Sequence, residues 1–342
     1  MDGFDFIALP RSRFGRMVGF DRHPTILRIY NSLAALNPRL YFYSKTVCKF
    51  DYVIGVDSYT GLTVALLSLA DGTNFAYRPN DCLFSLGTQL FRYDSKILAL
   101  CIVGYSVLVE NSLSRIARFL IVPSRKVGSD FARLYGFRRD CFLFPPLGST
   151  GVKDEGGAPG RKLARELMGI QPRFFVLLFL GVGDWLPNKL AIQYILTKLG
   201  PQLEVVSDEI VILIVGKHTE HYKNQIQSTN IRVLGQVDDL GPILRVSDLG
   251  IVPSTVVGGI SSKAVEYLCS GLPVLATEAV VETIIPQTGV FSAKISEFAE
   301  AVQRVRSSVA NINRGNIKSE AQRNYDSGRL GFVINEKIDQ DH

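Results

Sequence analysis

One stretch of this chain, residues 246–277, is hard to fold as anything but a β-α-β unit. It reads Val-Ser-Asp-Leu-Gly-Ile-Val-Pro-Ser-Thr-Val-Val-Gly-Gly-Ile-Ser-Ser-Lys-Ala-Val-Glu-Tyr-Leu-Cys-Ser-Gly-Leu-Pro-Val-Leu-Ala-Thr. Residues 249–252 are apolar and stop at Pro253, as a strand buried on both faces of a parallel sheet should. Gly258 and Gly259 let the backbone approach a ligand without interference from a Cβ atom. Ser261 or Ser262 is expected to cap the following helix, Gly271 and Pro273 to stop it, and residues 274–276 to form the next strand. The N–H groups at such a helix start attract phosphate. Glu266 stands four residues after Ser262 and three after Lys263, so the three share one helix face. That puts a cation near the phosphate end and, one turn deeper, a carboxylate able to accept both hydroxyls of a ribose. The competing reading, a Lys263–Glu266 surface ion pair, ignores the loop, cap and stop signals that aim the helix start at a ligand.

The same alternation runs through the rest of the chain. Apolar runs of strand length fall at 4–9, 40–43, 52–56, 74–77, 119–122 and 142–144, with helical patterns at 25–36, 61–70 and 125–135. Residues 145–161, rich in Gly and Pro and poor in apolar side chains, read as a linker. The second half repeats the scheme at 174–180, 189–199, 210–215, 231–234 and 243–246 before the opening segment. Strand and helix in alternation imply parallel, doubly wound sheets. Domains are expected at 1–150 and 151–320, with residues 321–342 as a tail whose helix, near 324–338, returns to the first domain.

The residues of the opening segment resemble the retaining, nucleotide-sugar-dependent glycosyltransferases of family 4 (glycosyl transferases group 1). Pro253-Ser254, Gly258-Gly259, Lys263, Glu266, Gly271, Pro273-Val274 and Ala276-Thr277 fill that family's pattern. Weaker matches follow in the family's order: Ile121 to Ser124, Phe131, Tyr135-Gly136, Pro145-Pro146, Phe179-x-Gly181, Pro187-Asn188-Lys189, Ala191, Ile214-Val215-Gly216, Gly235 and Asp238-Asp239-Leu240. The resemblance implies an α/β protein of GT-B fold, with two Rossmann-like doubly wound parallel-sheet domains facing across a cleft. The first would bind the acceptor and the second the donor, a UDP- or GDP-sugar. It further implies that Glu266 holds the donor ribose, and that Lys189, Lys263, Ser261, Ser262 and the Gly258-Gly259 loop hold the pyrophosphate. Three positions depart from the pattern. Gly258 stands where many relatives carry a first Glu, Val182 where they carry an Arg, and Asn80 where they carry a His.

On the acceptor side, Arg78, Asn80 and Asp81 end a predicted strand. Asp81 is the candidate to orient or deprotonate the acceptor hydroxyl, with capping of the next segment as the alternative. Asp57 is a weaker candidate of the same kind, and the arginines of residues 10–22 read as a solvated loop. No acidic D-x-D cluster is placed to bridge phosphates, so the transfer is expected to need no metal. His218 and His221 read as a surface pair without a third ligand, and Trp185 as a packing residue or loop anchor. Gly181 and Gly183 lack the third glycine of a dinucleotide-binding motif.

Charge is uneven. The chain carries +6 in 342 residues, yet residues 1–150 hold 18 Lys and Arg against 11 Asp and Glu, while the remainder holds 20 against 21. A basic first half suits an anionic acceptor, a glycan or lipid-linked glycan, or an anionic membrane surface; the bland reading is solubility alone. Basic runs interleaved with aromatics do not occur, which argues against nucleic acid. Cys48, Cys82, Cys101, Cys141 and Cys269 have no C-x-x-C spacing and read as reduced core residues of a cytoplasmic protein, with peripheral membrane contact the variant to test. Arg11, Arg13 and Arg16 interrupt any opening signal sequence, and the apolar run 97–109 is too short to span a bilayer. The expected function is therefore retaining sugar transfer from a nucleotide diphosphate sugar to an acceptor hydroxyl. The alternatives are a nucleotide-sugar epimerase of the same fold and a catalytically silent glycosyltransferase-like binding partner.

Overall fold

The computed structural model describes residues 52–92, 96–137, 140–143 and 160–325. These fall into two compact units, one drawn from Met1–Val122 and Gly128–Leu143, the other from Pro123–Val127 and Phe144–Val333. The strands expected at 4–9 and 40–43, the helix at 25–36, the arginines of 10–22, most of the 145–161 linker and nearly all of the 324–338 helix lie outside the described residues.

The first unit alternates β1 (Tyr52–Val56), α1 (Asp57–Asp71), β2 (Asn74–Arg78), α2 (Leu83–Leu90), α3 (Lys96–Ile116), β3 (Leu120–Val122), α4 (Arg125–Tyr135) and β4 (Cys141–Leu143). The strands lie in the order β1-β2-β3-β4, all parallel. The β3 side chains are wholly buried, and Phe75, Ala76 and Tyr77 of β2 join them in the core. Cys82 is buried, but Cys101 and Cys141 are exposed, so the cysteines are not uniformly core residues.

Helix α3 corrects the reading of the 97–109 run. It continues for 21 residues, and Ala99–Ile116 is long and apolar enough, by length and composition, to cross a membrane; a third of that segment is buried inside the protein. The run seemed to end at a charge because Glu110 follows it. That carboxylate is fully buried, takes the Leu83 N–H at 3.1 and 3.2 Å and accepts the Tyr135 hydroxyl at 2.7 Å. It thereby satisfies the start of α2 from a distant helix. Ile97, Leu100, Val107 and Leu108 of α3, with Leu66 and Leu69 of α1, remain exposed.

Burial pushes the Glu110 carboxyl up to about 7, against the pull of its hydrogen bonds from Tyr135 and Leu83. A carboxyl raised in the folded state binds more protons than in the unfolded chain between about pH 4.5 and 7. Its contribution to stability is therefore full below that window and declines as pH rises through it. Glu110→Gln keeps an acceptor for Leu83 and a partner for Tyr135. The variant is expected to be more stable than the parent at pH 8 by about 1–3 kcal/mol, and to flatten the decline between pH 5 and 7. Urea unfolding at several pH values measures both.

The second unit runs α5 (Arg161–Leu167), β5 (Phe175–Leu180), α6 (Leu186–Tyr194), a π turn (Ile195–Leu199), α7 (Gly200–Val206), β6 (Ile210–Val215), a 3-10 turn (Glu220–Gln225), β7 (Ile231–Gly235) and α8 (Gly241–Val246). It continues with β8 (Leu249–Val252), α9 (Ser262–Cys269), β9 (Val274–Thr277), α10 (Glu278–Val281), β10 (Val290–Ala293), α11 (Phe298–Ala310) and α12 (Arg314–Asn324). Its six-stranded sheet has the order β10-β9-β8-β5-β6-β7, and every pairing is parallel. All six side chains of β5 are buried. Val176, Leu178 and Leu180 pack on the face shared with α9 and α12, and Phe175, Leu177 and Phe179 on the face shared with α6 and α11. This two-sided burial is why β5 and β6 read as unbroken apolar runs.

At the amino end of β8, Asp248 gathers three arginines. Its carboxylate accepts from Arg161, from Arg165 at 2.6 Å and from the Val176 N–H at 2.8 Å, with Arg314 at 4.0 Å. The guanidiniums also bond main-chain carbonyls. Arg165 reaches Val246, Pro172 and Phe174, Arg161 reaches Arg245 and Ser247, and Arg314 reaches Ser247. Helices α5 and α12 are thus tied to the end of α8 from both sides.

Candidate functional site

The strand order of the second sheet reverses at β5 and β8. From β5 the chain moves outward through β6 and β7, then returns to β8 and moves outward the other way. The loops leaving the carboxyl ends of these neighbours, residues 181–185 and 253–261, therefore diverge, and in doubly wound sheets ligands bind in the crevice so formed.

Helix α9 is fixed against this point by one side chain. The Tyr267 ring covers Gly250 so closely that a Cβ there would lie 2.3 Å from it. Its hydroxyl donates to the Leu178 carbonyl at 3.0 Å and accepts the Leu180 N–H at 2.7 Å. Tyr267 has no exposed surface. It therefore spans from the helix to both β8 and the last turn of β5, and sets where the helix begins. Ser261 occupies the N-cap, but its side chain caps nothing; its N–H instead donates to the Thr283 hydroxyl at 3.3 Å. The expected serine cap is not made because the loop is drawn toward α10, and the first-turn N–H groups of α9 are left untouched by that hydroxyl.

Lys263 does not lie along the surface. Its ammonium donates to Asn188 Oδ1 at 2.5 Å and sits 4.2 Å from the centroid of the Phe179 ring. The side chain keeps some exposed surface, yet its charged end is packed among protein atoms, and burial pulls its pKa down to about 7. Asn188, which the sequence reading placed only in a pattern, is the link. Nearly buried, it also donates from Nδ2 to the Val182 carbonyl at 3.0 Å, and it crowds Gly181, where a Cβ would meet it at 2.8 Å. Lys263, Asn188 and the glycine loop thus form one connected group across the switch point.

Glu266 is half-buried one turn further along α9. After burial itself, its charge is the second cause lifting the Cys269 thiol to about 11. Gly258 is half-buried, Gly259 buried and Ser262 exposed. Lys189 is exposed on α6, its N–H bonded to the Trp185 carbonyl at 2.9 Å. Trp185 anchors that helix start through its carbonyl, which accepts the Asn188 and Lys189 N–H groups at 2.9 Å, and the residue is 38% exposed. Val182, where the resemblance calls for an arginine, is exposed in the same loop.

Arg78, Asn80 and Asp81 belong to the first unit, at and beyond the carboxyl end of β2. Asn80 is exposed, Asp81 and Arg78 are half-buried, and burial lowers the Arg78 pKa. Asp81 is not the N-cap of α2; Cys82 is, and the Leu83 N–H goes to Glu110. Asp57 follows β1 with φ +66, and its carboxylate takes the Ser58 N–H at 2.6 Å. Short acidic residues are among the few that tolerate this left-handed backbone.

The histidine pair needs a correction. A third donor does exist: Glu220 lies between them, and His218, Glu220 and His221 bring one ligand atom each to within 4.8 Å of one another.

Residues 175–308 match the family described as glycosyl transferases group 1. No curated protein matches the chain. Among solved structures, sucrose-phosphate synthase from Thermosynechococcus elongatus is similar with a TM-score of 0.63 and 16% identity, over 89% of this chain and 77% of that one. Anabaena HepE in complex with UDP and glucose gives 0.63 and 16%, over 91% and 83%. WaaG, a glycosyltransferase involved in lipopolysaccharide biosynthesis, gives 0.55 and 14%, over 82% and 81%. At such identities the likeness speaks for the fold, two Rossmann-like α/β units of the GT-B kind. The matched residues, β5 through most of α11, all fall within the second unit, and together with the GT-B fold they support a glycosyl transferase of group 1.

Proposed function

We propose that the chain moves a sugar from a nucleotide diphosphate sugar, a UDP- or GDP-sugar, to an acceptor hydroxyl on a glycan or lipid-linked glycan, with retention of configuration. One observation carries the donor half: Lys263 is held at the switch point, beside the start of α9 and joined through Asn188 to the glycine loop. A pyrophosphate in that crevice meets the first-turn N–H groups of α9, the Lys263 ammonium and, from α6, Lys189, so its charge is balanced without a metal as the leaving group forms. Glu266 then takes the ribose hydroxyls, and Gly258-Gly259 with Ser261 and Ser262 give the phosphates room and partners. Anabaena HepE, of the same fold, has been seen with UDP. Asp81, with Arg78 and Asn80, is the acceptor-side candidate, and the basic first half suits an anionic acceptor or an anionic membrane surface. Domain roles follow: residues 1–150 for the acceptor, 151–320 for the donor.

The reading has a pH signature. With its pKa near 7, Lys263 is largely neutral at pH 8; a phosphate beside it raises that pKa, so binding takes up a proton. Affinity for the preferred nucleoside diphosphate is expected to fall as pH rises from about 7 to 9, by up to about tenfold per unit. Calorimetry of UDP, GDP and ADP in buffers of different ionisation enthalpy reports the proton directly. Lys263→Met is expected to weaken binding and abolish both the uptake and the slope. Failure of all three nucleotides to bind would overturn the donor assignment and favour a silent partner.

A further inference from the structure

We infer that His218, Glu220 and His221 form a binding site for a borderline divalent transition-metal ion, with Zn2+ as the type ion. The inference stands apart from the donor reading, because it rests on a different set of side chains in the turn that follows β6 and opens the 3-10 turn Glu220–Gln225.

Geometry comes first. The three donor atoms lie within 4.8 Å of one another. In a bound site, metal–nitrogen and metal–oxygen lengths of about 2.0–2.2 Å put tetrahedral ligands about 3.3–3.6 Å apart. The gap is closed by side-chain rotation alone, since Glu220 and His221 are exposed and free to choose rotamers. The turn beneath them is not free to move. The Thr219 N–H and hydroxyl both donate to the Gly216 carbonyl, at 3.2 and 2.8 Å. The Gly183 N–H donates to the Lys217 carbonyl at 2.8 Å, and the Tyr222 hydroxyl to the Gly183 carbonyl at 3.1 Å. The two imidazole rings lie parallel, with centroids 6.0 Å apart.

Chemistry then selects the ion. Two imidazoles and one carboxylate are poor partners for Mg2+ or Ca2+, which take oxygen ligands, and good ones for Zn2+, Co2+ or Ni2+. A fourth group stands by. Asp184 Oδ2 is 3.7 Å from His218 Nε2, placed to orient the ring when Nδ1 ligates, or to join the ligand set when Nε2 does. Either way the ion ties the turn after β6 to the loop that carries Gly181, Val182 and Gly183, and so stiffens the glycine loop from its far side. Where Asp184 only orients His218, the three protein ligands leave a coordination position open to solvent.

The test is a Co2+ titration of the full-length, untagged chain after removal of metals. One ion per chain is expected, with visible absorption of a nitrogen and oxygen site and no near-ultraviolet sulfur charge-transfer band; Zn2+ should displace it. The double variant His218→Asn, His221→Ala removes both imidazoles. Asparagine is chosen because His218 sits at φ +64, a backbone that Asn tolerates. That variant is expected to lose the signal while keeping the parent's urea midpoint, and Glu220→Gln to weaken binding by about 10–100-fold. Absence of stoichiometric binding overturns the inference. So does a signal that survives the double variant, or a sulfur band, which would move the ion to the free thiols.

Discussion

Asp248→Ala is expected to lower stability by about 3–5 kcal/mol, the range for removing one partner from a largely buried ion pair. The loss has two parts. The Val176 N–H loses its acceptor at the base of β5, and three guanidiniums are left close together without the carboxylate that neutralises them. Their crowding is already visible in Arg314, whose pKa is brought down to about 10 by burial first and by neighbouring Arg161 next. The carbonyl bonds of Arg165 survive the change, so the effect stays within that range. Asp248→Asn keeps an acceptor for Val176 and should lose less. Urea unfolding of both variants gives the numbers. Equal losses would mean that the charge, not the N–H bond, is what matters. Because this cluster lies at the amino ends of the strands and the candidate site at their carboxyl ends, folded Asp248→Asn should bind nucleotide as the parent does.

Glu266→Ala is expected to do the reverse. The side chain is half-buried on an otherwise well-packed helix, so stability should change by no more than about 0.5 kcal/mol. If the carboxylate holds the ribose, truncation removes charge-assisted hydrogen bonds, and affinity for the preferred nucleoside diphosphate should fall about 100-fold, some ~2.7 kcal/mol. A nucleotide lacking the 2′-hydroxyl sharpens the test. It should bind the parent more weakly than the ribonucleotide, and the two should bind the variant alike. A variant that still discriminates them would take the ribose away from Glu266.

The β8–loop–α9–β9 unit was legible because its signals are local: an apolar run closed by Pro253, a glycine pair, and the Gly271-Leu272-Pro273 stop, where Gly271 indeed has φ +76. Strand order was not legible. That β8 lies beside β5 is decided by packing between segments 72 residues apart, such as Leu177 opposite Leu249. Asn188 was missed as the partner of Lys263 for the same reason, since 75 residues separate them. Glu110 misled in the other direction. A charge after an apolar run reads as its end, whereas this one serves the interior, and nothing near it in sequence shows that Leu83 and Tyr135 await it. Strand β10 escaped notice because only one of its four residues is buried, which erases the apolar contrast on which such readings depend.

Tyr267 has a consequence for timescale. A helix whose aromatic ring rests on one strand and whose hydroxyl is bonded twice to the next cannot slide along the sheet without breaking all three attachments together. Adjustment to ligands of different size then falls to residues 255–260, between the Ser254 carbonyl, which accepts the Thr277 hydroxyl, and the Ser261 N–H, which donates to Thr283. In amide hydrogen exchange, Leu180 should exchange only through opening of the whole second unit, while the amides of residues 255–260 exchange sooner, through local fluctuation. The receptor end of the helix is a fixed post, and the loop before it is the part that breathes.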